Sequence, residues 1–194
     1  MTFSTRELAT LAVFGALWGL VEITLGAVIK TLNIPLGALL VVSVGLVVAL
    51  VGRAFVPRRG STLFIGVIAM LLKLFSLGGV VVGPMVGILF EALIAEIVLS
   101  AMGRPRRASF VAAGAAASAW LLVHPFLTGL LFFGRSLFVV WQDLLDLGNR
   151  VVGLDPSAAA WIVAALAAIY AGVGAVVGWL SWDLAHTLKK RTGR

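Results

Sequence analysis

Residues 69–79 read AMLLKLFSLGG, and Lys73 stands in a run where nearly everything else is apolar. If this run is a membrane helix, a lysine near its middle costs about 2.5–3.5 kcal/mol on insertion scales. If it is a helix of a soluble core, the rest of the chain must supply a charged surface. It does not. Of 194 residues, 61% are hydrophobic and only 12% are charged, too few charges to clothe a soluble domain of this size. The chain therefore reads as an all-α integral membrane protein, and Lys73 as an intramembrane charge that needs a partner. There is no cysteine. That excludes disulfides, thiolate metal sites and a cysteine nucleophile.

Working outward from Lys73, six segments have the roughly 20 apolar residues that a span needs, one of them only at the lower limit. They are Leu8–Ile29, Leu36–Val56, Thr62–Leu77, Val82–Met102, Ala108–Phe132 and Ser157–Trp182. The third is the short one. Between them stand the turn-forming stretches LNIP, PRRGS, SLGG, GRPRR and GLDPS. The first span follows Arg6, carries Glu22 and lacks a cleavage site, so it reads as a permanent span rather than a signal peptide. The whole chain, residues 1–194, forms one six-helix transmembrane domain in this reading.

The charges orient it. With the N-terminus inside, Arg6, Arg53, Arg58, Arg59, Arg104, Arg106, Arg107, Lys189, Lys190, Arg191 and Arg194 lie on the cytoplasmic side. Only Lys30, Arg135 and Arg150 lie outside, together with Asp143, Asp146 and Asp155. This asymmetry fits the positive-inside rule with both termini cytoplasmic. The basic clusters sit at span ends, where they meet anionic lipid, so the net charge of +7 does not point to nucleic acid.

The longest loop, Phe133–Pro156, lies outside. Within it, Leu137, Phe138, Trp141, Leu144 and Leu145 share one helical face, and Gly148 is the next position on it, where the helix could end. Asp143, Asp146 and Arg150 interrupt the apolar pattern. The segment reads as a short amphipathic helix, either an interfacial connector or a lid over an outward pocket.

Depth follows from the helical rise. Lys73 and Glu91 fall about 16 and 14 Å into their spans, near the midplane, while Glu22 and His124 sit higher, at about 21 Å or slightly more. Two tiers result: Lys73 facing Glu91, with Glu22 and His124 above. Glu96 is rotated about 140° from Glu91 and lies nearer the cytoplasm, outside this group. A Lys73–Glu91 pair either fixes helix register or floors a polar pocket. Pro125 directly after His124 frees the carbonyl of Leu121 and suggests a cavity there. Trp18, Trp120 and Trp141 are the candidate aromatic walls. The sequence has no HExxH, GxSxG or Walker A pattern, so neither an enzyme nor a nucleotide site is expected, and no cofactor or metal. His186 reads as an ordinary tail residue. Span 1 also carries small residues four apart, Ala12 with Ala16 and Gly15 with Gly19, a spacing that lets another helix approach closely.

Together these features resemble the S component of an energy-coupling-factor transporter. A basic N-terminus, six spans in a chain of this length, the AxxxA of span 1 and the stretch GGVVVGPMVGILFEALIAEIV carry the resemblance. It implies a substrate-capture subunit in a prokaryotic cell membrane, taking a vitamin or similar nutrient from outside. It implies partners too: a transmembrane T component contacted through Ala12 and Ala16, and two cytoplasmic ATPases. The pocket would be closed by outer loops around Thr31–Pro35, Ser76–Gly83 and Phe133–Pro156. Glu22, Glu91 and His124 beside tryptophans would suit a flat cationic heterocycle, as in the thiamin or pyrimidine-precursor branch. An unpaired Lys73 would instead favour an anion. A membrane scaffold without substrate, and an intramembrane enzyme, are the competing readings.

Overall fold

The computed structural model describes residues 3–32, 34–76, 82–103 and 105–191, with the side chain of Lys30 excepted. Arg104, Arg194, the Lys30 side chain and most of the outer loop at Ser76–Gly83 lie outside the described residues.

Every element among the described residues is helical. The chain forms α1 (Thr5–Leu32), α2 (Gly37–Phe55), α3 (Ser61–Leu72), α4 (Val82–Ala101), α5 (Arg107–Phe133), α6 (Leu137–Val152) and α7 (Ala159–Arg191). Five of these, α1, α2, α4, α5 and α7, are long and apolar enough to cross a membrane. The expected sixth span is shorter. After α3 the chain tightens into a 3-10 turn, Lys73–Phe75, and the two together rise only about 24 Å.

The helices close a ring in the order α1, α3, α4, α5, α7, α2, and α2 also touches α3, α4 and α5 across the middle. That position explains why α2 is the most buried of the long helices. The N-terminus, the α2–α3 link, the start of α5 and the end of α7 share one end: Arg58 pairs with Glu7 at 2.8 Å, and Arg107 pairs with Asp183. This is the basic end. Arg53 departs from the expectation that placed it among the boundary charges. It is buried inside the bundle beside Glu96.

The tightest joint is between α5 and α7. A Cβ on Gly114 would overlap the carbonyl of Gly174, and one on Gly178 would overlap the carbonyl of Phe110. With no side chains between them, the two backbones pack directly on each other. Gly15 and Gly19 of α1 serve the same purpose within the molecule, receiving Ile68 and Leu72 of α3. Ala16 is exposed and Ala12 half-buried, beside exposed Val13, Leu17 and Leu20.

At the other end, α6 lies on α5 and α7. It starts at Ser136, whose hydroxyl accepts the Val139 N–H. Gly134 and Gly153, both in the left-handed region, bracket it. Gly148 does not end this helix. It is buried where a Cβ would overlap Ile162 of α7, so it is a packing glycine. Asp155 then accepts the Ser157 N–H at 2.8 Å; the Ser157 hydroxyl first and this N–H second hold its carboxyl below the usual range, and Pro156 opens the turn into α7.

Candidate functional site

Lys73 is the last word of α3 rather than its middle. It stands at the C-cap position, where the helix gives way to the 3-10 turn, and a cation there complements the helix dipole. Its ammonium donates to the backbone carbonyl of Glu22 at 2.6 Å and to Glu22 Oε2 at 3.3 Å. Gly26, one turn further along α1, leaves the space: a Cβ there would lie 3.3 Å from Lys73 Nζ.

The expected Lys73–Glu91 pair is thus not formed; the partner is Glu22. The two-tier depth reckoning assumed a uniform helical rise from a common boundary. Lys73 follows α3 directly, and its long stem carries the charge further along the bundle than its backbone position. Lys73 therefore reaches the Glu22 level.

Glu91 is left over. It is buried on α4, and its Oε2 has no hydrogen-bond partner among the described residues. It forms no ion pair among the described residues. Beside it is His124 of α5. A Cβ added to Gly87 would sit 3.5 Å from Glu91 Oε1 and 3.3 Å from His124 Nε2, so this glycine keeps a small gap that both groups border. His124 Nε2 is 2.9 Å from the Gly83 carbonyl. A carbonyl only accepts, so Nε2 carries the proton.

Of the three tryptophans, two border this group. Trp120 stacks on Phe90, with centroids 4.8 Å apart and planes at 14°, and presents an edge to His124 at 6.3 Å. Its indole N–H is buried without a partner among the described residues. Trp18, one turn before Glu22 on α1, has its indole beside that carboxylate and is fully buried, packed where Gly45 of α2 has no side chain. Trp141 is half-buried on α6, which packs on α5 and α7. The spacing of an aromatic along a span does not say which neighbour it meets, and here Gly45 decides for Trp18.

The seam Lys73–Glu22–Glu91–His124 thus crosses from α3 through α1 and α4 to α5. It holds two carboxylates against one ammonium. With His124 neutral, either Glu91 carries a proton or the seam has one negative charge in excess, a state that a buried site tolerates only with a bound cation.

Two further features lie outside the seam, as the sequence placed Glu96 apart from it and a cavity beside Pro125. Glu96 belongs to a separate polar knot at the basic end. Its Oε2 accepts the Thr62 N–H at the start of α3 at 2.9 Å, its Oε1 accepts from Ser100 at 2.5 Å, and Arg53 lies 3.5 Å away. The second is a cavity of about 250 Å³ beside Pro125. It lies between α5, α6 and α7, not on the His124 face, so α6 covers this cavity and not the acidic seam. No group of three or more metal-ligating side chains occurs among the described residues.

Comparison with protein-family models, with curated proteins and with solved structures finds no match to this chain.

Proposed function

We propose that the chain is the substrate-capture subunit of a nutrient importer of the energy-coupling-factor type, sitting in a prokaryotic cell membrane with both termini inside. The observation that carries this reading is Glu91: a buried carboxylate with a free oxygen, next to His124 and a stacked aromatic pair. Such a group is costly to keep unless something occupies it. The ligand it suits is a flat organic cation, with thiamin- or pyrimidine-related heterocycles as the first class to test. The carboxylate meets the charge and Trp120 borders the ring. The exposed Ala16 and half-buried Ala12 of α1 are the face for the T component, which two ATPases drive; the chain itself is not an enzyme in this reading.

A scaffold without substrate is favoured by one observation: Lys73 is already neutralised by Glu22. The two readings separate in a ligand-stabilisation screen of the purified protein against vitamins and their cationic heterocyclic precursors. The capture reading expects a rise of several degrees in unfolding temperature with at least one of them. A flat response across the set would leave the scaffold.

A further inference from the structure

The cavity beside Pro125 has a chemistry of its own. Its α5 wall is Leu121, Leu122, Pro125 and Phe126, and leucines of α6 close it from outside. On α5 this wall faces roughly 150° away from Trp120 and His124, so the cavity and the acidic seam lie on opposite sides of one helix.

Two polar features interrupt the apolar lining. Tyr170 of α7 is only 5% exposed and lines the cavity, and its hydroxyl has no hydrogen-bond partner among the described residues. The hydroxyl oxygen keeps some open surface, so it can meet a ligand in the cavity. Pro125 lacks an N–H, so the carbonyl of Leu121 has lost its helical donor on the same wall. The one charged lining group, Asp143, is already paired with Arg135. The lining therefore offers a neutral hydrogen-bonding group or two inside an apolar shell, with no free charge.

Size narrows the ligand. An apolar cavity of about 150 Å³ takes benzene; about 250 Å³ takes a ring with a short substituent. We propose that this cavity is a second binding site, for a neutral single-ring aromatic molecule carrying one hydrogen-bonding group. It does not rest on the importer reading.

The chain has a single tyrosine, so full-length protein labelled with 3-fluorotyrosine gives one 19F resonance, at the cavity wall. The protein is placed in lipid nanodiscs and titrated with benzyl alcohol and, separately, with toluene. The expected result is a saturable shift with benzyl alcohol, with toluene at least about fivefold weaker for want of a group to meet the Tyr170 hydroxyl. Leu144→Trp fills the cavity and should abolish the saturable shift. Leu122→Phe fills it from the opposite wall should the first variant fail to fold. Glu91→Gln should leave the response unchanged. A linear drift that persists in the filled variants is partition of the probe into the bilayer and overturns the proposal. So does an equal response to the two probes. A resonance silent in nanodiscs but responsive after delipidation assigns the cavity to a lipid tail, which overturns it as well. Loss of the response in Glu91→Gln would make the two sites one.

Discussion

Among the described residues the bundle holds two buried ion pairs, and they are built differently. At the basic end, Arg53 faces Glu96, one charge against one, and both oxygens of the acid are engaged by Arg53, Ser100 and the Thr62 N–H. That acid also caps the start of α3, so α2, α3 and α4 are tied at one point. Toward the α6 end, Lys73 faces Glu22 with Glu91 close by, and one carboxylate oxygen has no partner among the described residues. The first arrangement is complete in its charges. The second, with His124 neutral, is one cation short. A balanced pair needs no further explanation than holding helices together; an unbalanced one asks for a proton or a ligand.

The sharpest way to break this contrast is at the balanced pair. Arg53→Met strands Glu96 in the interior and should cost about 3–5 kcal/mol, while the double change with Glu96→Gln should recover most of it. Thermal unfolding of the purified variants reads both. Equal loss in single and double variants would mean the charges are not what binds these helices. Next in size is Lys73→Met. It removes an ammonium and its two hydrogen bonds, and should cost about 2–3 kcal/mol, since bonds to charged groups are worth about 1.5–3. Here Glu22→Gln is the compensating change, not Glu91→Gln, and a rescue by the latter alone would overturn the pairing. The smallest effect on stability belongs to Glu91→Gln. It removes a charge that pairs with nothing, so stability should stay within about 0.5 kcal/mol or rise. In the importer reading, affinity for the cationic ligand should fall at least about tenfold, or roughly 1.4 kcal/mol. A large loss of stability with no change in binding would make Glu91 a structural residue like Glu96.

The fold class was legible because it depends on bulk properties. Apolar runs, turn residues between them and the amphipathic pattern at Leu137–Leu145 are counted directly along the chain. The partners of single side chains were not. The pairing of Lys73 turned on the reach of its stem beyond the end of α3, which hydropathy does not show. Glycines were the other blind spot. Gly15 and Gly19 attracted notice on α1, yet backbone packs directly on backbone at Gly114, Gly174 and Gly178. The spacing was there to read, Gly174 to Gly178 and Gly114 to Ser118, each four apart. In a chain with 22 glycines such pairs are common, and only the fold says which ones meet. Trp18 shows the same limit: it fills a notch that Gly45 opens from another helix.

α7 runs for 33 residues, about 50 Å, well beyond a hydrocarbon core of roughly 30 Å. Two of its tryptophans are largely exposed, Trp161 at 73% and Trp179 at 52%, and by the helical rise they stand about 27 Å apart. Tryptophans on an outer surface settle at the two lipid headgroup levels. α7 thus works as a ruler with its marks on it. Their separation is close to the thickness of a hydrocarbon core, and beyond Trp179 the helix continues as a mast about 18 Å long that ends in Lys189, Lys190 and Arg191. Because α7 is locked to α5 by bare backbone, tilting that mast would tilt the cavity and the α6 roof with it.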